Sequence, residues 1–499
     1  MKETSITKNI LANFAGKAWS SLMSLIFIPF YIKFMGIESY GLIGIFISLT
    51  ALISILDMGL SSTLSRELAR LSVSRATAQE SRDLVRTLEV VYWTAGILIG
   101  ICVVCLSPII AHSWLTPQGI ATKTVEQAVM IMGLVVAIQW PSALYDGGLM
   151  GLQRQVVLNG VRGVMATIQH AGAVLVLWLI SPSILAYFCW QICVSVLLTL
   201  LLATFTWRSL PITQKTSTFH GYLLKKNWRF AAGMMGISIM ATLLTQVDKI
   251  ILSKLLTLTL FGYYILALNL ANIVVQLVNP FFSAFFPKLT QLIVDKKTSE
   301  AAVLYHKGCQ LAASIVLPVS ITVAFFSREI IRIWTNNSQL ADNSYVLLSI
   351  LVLGSTCNAL LMMPYTLQLA YGWTKLIFYQ NLYSVIILVP LMIYMVILYS
   401  TIGAAIVWLI LNIGYVIILV PLMHRYLLKT ELWKWYFIDT GVPFLLTFLL
   451  VLFSRLIIPS GLSVVTLSCW LLLTIVTAFI CSIVTLPFPR SWIKLKLSP

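Results

Sequence analysis

Charge is scarce in this sequence, at 10% of 499 residues, and acid is scarcest, with 16 Asp and Glu against 33 Lys and Arg. A soluble globular chain carries about 25% charge. A composition 59% hydrophobic, with a mean hydropathy of +0.95, excludes such a fold and requires a multi-spanning membrane protein. Long polar loops are missing too: the largest outer connection is expected at 112–124, too short for an external catalytic domain. No nucleophile and base pair, phosphate-cradling loop or external carboxylate pair is legible, so no catalytic residue is assigned and no enzyme activity is expected. The eight cysteines all fall in apolar runs. Cys102 and Cys105 form a CxxC with no second pair or His cluster nearby, so the cysteines read as packing residues, and neither a metal site nor a resident cofactor is expected. Lys17 interrupts the first apolar run, which argues against a cleavable leader.

What is present is a succession of apolar runs. At about 20 residues per span, they place helices at 10–34, 40–61, 87–111, 125–148, 156–181, 183–206 and 229–253. Seven more follow at 261–286, 308–327, 343–370, 376–398, 401–423, 440–458 and 462–486. The fold class is therefore all-α integral membrane, with about 14 transmembrane helices. The net charge of +17 could signal nucleic acid, but position decides otherwise. With the N-terminus in the cytoplasm, 24 of the 33 Lys and Arg fall in inner segments, six in outer segments and three within spans. That bias supports both termini inside and removes most of the case for nucleic acid, which is not expected as a partner. The basic loops, such as 208–229, then rest near anionic lipid headgroups.

The stretch from Gly36 to Arg66 returns about 220 residues later. Tyr40-Gly41 matches Phe261-Gly262, Trp114 matches Trp334, Pro141 matches Pro364, Gly151 matches Gly372, Trp190 matches Trp408 and Arg208 matches Arg425. Six spans separate the copies, an even number, so both have the same orientation. This implies two parallel-repeat six-helix lobes, 1–206 and 229–425, joined by a basic cytoplasmic linker at 207–228. A helix pair at 440–486 has no counterpart and forms a C-terminal hairpin.

An ionisable group within a span costs about 3 kcal/mol on translocon scales. The candidates are Lys17, Asp57, Asp146, Arg162, Asp248 and Lys249. Thr50, Ser54, Asp57 and Ser61 form a polar seam at i, i+4, i+7 and i+11, and Asn272, Gln276, Asn279 and Ser283 repeat that spacing. Asn9, Asn13, Lys17, Ser21 and Ser24 stripe the first helix. Ser238, Thr242, Thr245 or Gln246, and Lys249 stripe the seventh. These are the same two helices of each repeat, so a wet cleft lined by the four is the simplest geometry. Interhelical hydrogen bonding is the competing reading of any one stripe, snorkelling that of Lys17 and Arg162, and an interfacial position that of Asp57 and Asp146. In the functional reading Lys17, Arg162 and Lys249 bind an anionic headgroup with help from Asn272 and Gln276. Asp57, Asp146 and Asp248 would orient the cations or carry a coupling H+ or Na+. Asp248 and Lys249, about 100° apart on their helix, need not pair. His170 reads either as titratable or as a helix-contact residue.

The chain also resembles a known family. Asn9 to Gly16, Met35-Gly36 with Tyr40-Gly41, Asp57-Met58-Gly59-Leu60 and Gly151-Leu152-Gln153-Arg154 carry the likeness, with Asp248, Gly262-Tyr263-Tyr264 and Phe286-Pro287-Lys288-Leu289. In order and spacing they are similar to the Wzx-type polysaccharide flippases of the multidrug/oligosaccharidyl-lipid/polysaccharide exporter superfamily. The resemblance implies alternating access of two lobes around a cationic cavity. It also implies a substrate, undecaprenyl-diphosphate-linked oligosaccharide, moved from the cytoplasmic to the periplasmic leaflet of a bacterial inner membrane beside other polysaccharide assembly proteins. Lys17, Arg162 and Lys249 come from span position, not from the family. A lipid II flippase, a drug or cation antiporter of the same superfamily, and a membrane polymerase are the alternatives.

Overall fold

The computed structural model describes residues 6–71, 77–459 and 461–485, and these are helical almost throughout. Among them eleven helices are long and apolar enough to cross a membrane. Two of the eleven, Ala12–Asp57 and Lys375–Leu427, run 46 and 53 residues and contain sharp breaks. The chain divides into two compact units, Met1–Gly262 and Tyr263–Pro499.

The first unit begins with α1 (Ile6–Ile53), interrupted at Gly36, whose φ of 81° and ψ of 167° only glycine adopts without strain. This is the boundary expected between the first two spans. A four-residue 3-10 turn, Ser54–Asp57, then leads into Met58 and Gly59, with φ of 50° and 71°. The second span therefore ends at Asp57 instead of continuing to residue 61. The next turns form α2 (Leu60–Leu71), an amphipathic helix burying Leu64, Leu68 and Leu71. After α3 (Ala78–Ile109), the span expected at 125–148 is two helices, α4 (Thr122–Gln139) and α5 (Ser142–Gly151), separated at Trp140-Pro141 where proline lacks the donor needed to continue the ladder. Then come α6 (Gln155–Leu179), α7 (Ile184–Ser209), capped by the Ser183 hydroxyl, and α8 (Gly221–Leu255), which packs on α1, α2 and α3. The start of α9 (Leu258–Val294) also belongs here. A cluster of Leu64, Leu68, Leu88, Tyr92, Tyr145 and Leu202 forms the core.

One end of this unit is tightly closed. A Cβ on Gly41 would lie 2.6 Å from the Leu258 carbonyl oxygen, and one on Gly262 2.3 Å from that of Ile37, so the two repeat-related glycines mark a backbone-to-backbone crossing. Beside it Leu258 N donates to Thr116 O at 3.2 Å, and the Glu38 carboxylate accepts Gln118 N at 2.6 Å and Gly119 N at 2.8 Å.

The second unit contains α10 (Thr298–Phe325), α11 (Ser327–Thr335), α12 (Ser338–Leu360) and α13 (Met362–Ala370). The span expected at 343–370 is thus also divided, at Leu361. Next, α14 (Thr374–Gly414) is broken at Ser400, with φ of 54°, where two spans were expected to meet. It continues through a π segment into α15 (Val420–Leu427). The short α16 (Leu432–Lys434) and a second π segment lead to α17 (Val442–Ile457) and α18 (Val464–Thr485), the C-terminal hairpin. Ala313, Leu317, Phe326, Val451 and Leu471 seat that hairpin on α10.

The repeat is visible in backbone detail, with one change of register. Arg154 N bonds Leu149 O at 2.8 Å with Gln153 at φ 57°, and Trp373 N bonds Gln368 O at 2.9 Å with Gly372 at φ 70°. Both are helix ends with a left-handed residue after the last turn. Gly372 therefore corresponds to Gln153, not Gly151. Gly151 instead serves packing, since its Cβ would lie 2.4 Å from Ser65 O.

Candidate functional site

The ionisable residues expected within spans all lie in the first unit, and the structure pairs most of them. Arg162 on α6 reaches Asp146 on α5, Nε to Oδ1 at 3.1 Å with a second bond from the guanidinium to Oδ2. This fork is the geometry that also suits a phosphate. The side chains keep 39% and 23% of their surface exposed, so an incoming anion has access to the pair.

Lys17 lies on α1, which packs along α6. Asn159 Nδ2 bonds Asn13 Oδ1 at 2.5 Å, and Trp19 Nε1 bonds Thr167 Oγ1 at 2.9 Å. Lys17 and Arg162 are therefore bracketed between the same two contacts, which are six residues apart on α1 and about 9 Å by helix rise. Lys17 is exposed and has no ion pair among the described residues. Further along, Tyr31 Oη meets His170 Nδ1 at 2.9 Å, so His170 is a helix-contact residue. The polar stripe of the first helix thus mixes hydrogen-bonded glue, Asn13, with one unpaired cation. The side chains of Asn9 and Ser238 lie outside the described residues.

Lys249 and Asp248 do pair. Although they leave α8 in different directions, the lysine stem folds back so that Nζ sits 3.2 Å from Asp248 Oδ1 and 2.6 Å from Thr245 O. Asp57 plays another part. The Tyr92 hydroxyl donates to its Oδ1 and Ser61 to its Oδ2 at 2.8 Å, while Thr50 and Ser54 bond their own helix's carbonyls. The continuous seam expected at Thr50, Ser54, Asp57 and Ser61 does not exist, because the left-handed Met58 and Gly59 break the helix within it. Asp57 instead ties that break to α3.

In the second unit Asn272 is half-buried and Gln276, Asn279 and Ser283 are exposed on an uninterrupted stretch of α9. None of the four has a hydrogen-bond partner among the described residues. This seam keeps the expected spacing with its donors unspent.

Several charged residues escaped the sequence pattern. Glu89, 7% exposed on α3, accepts Tyr145 Oη at 2.6 Å and Trp207 Nε1 at 3.2 Å and pairs with Arg86 at 2.8 Å. Its position inside the expected span 87–111 was the available signal. Glu67 on α2 bridges Arg66 and Arg70, each at 2.7 Å. Burial pushes its carboxyl up, but the hydrogen bonds and charges of Arg70 and Arg66 outweigh this and hold it below the usual glutamate range. In the second unit Asp439, fully buried, accepts from His306 Nδ1 and from Gln310 Nε2 at 2.8 Å, and His306 Nε2 lies 3.0 Å from Glu431. This network was not legible beforehand, since its members are 129 and 133 residues apart.

Comparison with known proteins gives these helices a context. Residues 6–293 match the family model described as "Polysaccharide biosynthesis protein", and residues 234–395 match the MatE model. A curated relative, the "Putative O-antigen transporter" of Shigella flexneri, is 24% identical over 424 residues, spanning 81% of this chain and 94% of the relative. The solved structure of "Lipid II flippase MurJ, inward closed conformation" superposes with a TM-score of 0.67 at 14% identity, covering 98% of this chain and all of that one. The MATE multidrug transporter DinF-BH gives 0.60 at 15% identity, covering 85% and 96%. The chain belongs to the polysaccharide biosynthesis protein family and is a multi-pass membrane transporter of the multidrug/oligosaccharidyl-lipid/polysaccharide exporter superfamily.

Proposed function

We propose that this chain is a flippase for an undecaprenyl-diphosphate-linked oligosaccharide, an O-antigen or other surface polysaccharide repeat unit, moving it from the cytoplasmic to the periplasmic leaflet of a bacterial inner membrane. The observation that carries the reading is the pairing of Arg162 with Asp146 beside the unpaired Lys17 on adjacent helices. A diphosphate offers more negative charge than one carboxylate, so it competes with Asp146 for the guanidinium and recruits the lysine. Asp146 keeps Arg162 oriented and neutralised when the site is empty, lowering the cost of holding a cation in the membrane. Asn272 and Gln276 supply donors and acceptors suited to sugar hydroxyls.

Translocation by the repeat-related lobes 1–206 and 229–425 follows the alternating-access scheme, with the lipid tail remaining in the bilayer. Lys249 joins the substrate-binding cations once its bond to Asp248 opens. Protonation or Na+ binding at Asp248 opens that bond, which makes this pair the candidate coupling element; Asp57 serves the break in the second span. Both termini lie in the cytoplasm, and other polysaccharide assembly proteins consume the product.

A lipid II substrate is the second reading, favoured by the extent of the MurJ superposition: it covers 98% of this chain, C-terminal hairpin included, against 85% for DinF-BH. Deleting the gene in its host and locating lipid-linked units tests the proposal. Accumulation of repeat units facing the cytoplasm is expected. Single units that reach the outer leaflet but fail to polymerise would assign the protein to polymerisation instead, and loss of peptidoglycan synthesis would favour lipid II.

A further inference from the structure

The second unit carries a cavity of about 520 Å³ lined by Pro421, His424, Arg425, Tyr426, Lys429 and Leu432. It forms where the last turn of α15 leads into α16, at the root of the C-terminal hairpin. Arg425 and Lys429 are exposed, and neither has an ion pair among the described residues. Their neighbour Lys434 differs, being held by Glu431 at 3.3 Å. Among the described residues, then, no ion pair neutralises the positive charge of Arg425 and Lys429.

The walls are fixed. His424 is 1% exposed, with Nδ1 bonded to Val420 O at 2.8 Å and Nε2 facing Tyr305 Oη at 3.4 Å, so both ring nitrogens are occupied. Behind it the contacts of His306 with Asp439 and Glu431 join α10 to the residue that precedes α16 and to the segment entering α17. One lining residue, Tyr426, is aromatic, and Trp433 directly follows the lining residue Leu432 in sequence. Tyr426 is exposed and packs edge-on to Trp373 at 5.3 Å, and Trp433 and Phe437 are exposed and stacked at 5.6 Å. Exposed Trp and Tyr beside unpaired cations are the mark of a headgroup-level surface, where an aromatic body meets acyl chain and a polar tip meets water.

We propose that this cavity binds the phosphate of an anionic phospholipid. Arg425 grips two phosphate oxygens with its planar fork, Lys429 adds a point charge, and Tyr426 and Trp433 lie against the glycerol and first acyl carbons. The bound lipid thereby fixes the hairpin to α15, independently of which substrate the chain transports.

The test uses the full chain, stripped of lipid in detergent. Dioleoylphosphatidylglycerol, dioleoylphosphatidylcholine and inorganic phosphate are the probes, and lipid retention in native mass spectrometry and the thermal midpoint are the readouts. Wild type is expected to prefer phosphatidylglycerol by about tenfold or more, since each basic residue near such a headgroup contributes about a fivefold gain. R425Q/K429Q should lose that preference, R425K, which keeps the charge but not the fork, should retain only part of it, and K288Q/K297Q, which removes two exposed lysines elsewhere in the unit, should not change it. Competition by millimolar inorganic phosphate would identify the phosphate alone as the recognised group; its absence would identify the intact lipid. Equal retention of the two lipids by wild type, or an undiminished preference in R425Q/K429Q, overturns the proposal.

Discussion

Arg162 and Asp146, 16 residues apart in sequence, form a two-pronged ion pair between α6 and α5, helices joined by a short turn with Gln153 in the left-handed region. Removing either partner alone strands a charge in a largely apolar setting. R162A and D146A should each lower the amount of folded protein in the membrane. The double variant R162A/D146A should restore that amount but not transport, which should stay at least about tenfold below wild type. Complementation of a deletion strain at matched expression separates the two effects; full activity in the double variant would remove Arg162 from the substrate site.

The Tyr92 and Ser61 hydroxyls both donate to Asp57. Y92F leaves one carboxylate oxygen short of a donor and should cost about 1–3 kcal/mol in detergent unfolding. D57N, which keeps an acceptor, should be milder than D57A. If D57N instead abolished transport while leaving stability intact, Asp57 would have to be moved into the coupling machinery.

Much of the fold was legible because its signals are local. Gly36 and Ser400 break the chain where two expected spans met, and Pro141 and Pro364 announce interruptions near corresponding places in the repeat. The short helices α2 and α11 were not foreseen, because their charged residues, Arg66 and Arg70 or Arg328 and Arg332, read as loop when only apolar runs are counted. The site divides in the same way. Span position found Lys17, Arg162 and Asp146, but pairing depends on partners that sequence does not order. Periodicity suggested a seam through Asp57, whereas the left-handed Met58 and Gly59 turn that carboxylate toward α3. Glu89, His306 and Asp439 were missed because their partners lie on distant helices.

Where Gly41 and Gly262 cross, there is no room for a side chain. G41A places a methyl 2.6 Å from Leu258 O, and G262A one 2.3 Å from Ile37 O. Each should destabilise the purified protein by about 1–3 kcal/mol, read as a lowered thermal midpoint. G160A, whose Cβ meets nothing within 4 Å, is the control and should be near neutral.

Glu67 gives stability a pH dependence. Its folded carboxyl is held below the usual range, so the unfolded state binds the proton more readily. The stabilisation is complete above the ordinary glutamate value and is lost as pH falls through the lower folded value. Wild type should therefore lose more of its thermal midpoint than E67Q on acidification through about pH 5 to 3. Parallel curves for the two proteins would mean that the Arg66 and Arg70 pairs contribute nothing measurable.

The central claim is transport of a lipid-linked oligosaccharide, and the most direct measurement is its transbilayer movement in vesicles containing the purified chain. Substrate is loaded in one leaflet, and its arrival in the other is read with a membrane-impermeant glycosidase. Protein-dependent arrival is expected, reduced at least about tenfold in R162A/D146A at equal incorporation. Arrival no faster than in empty vesicles, from protein that moves a cationic dye under the same conditions, would contradict the account and make the chain a drug transporter.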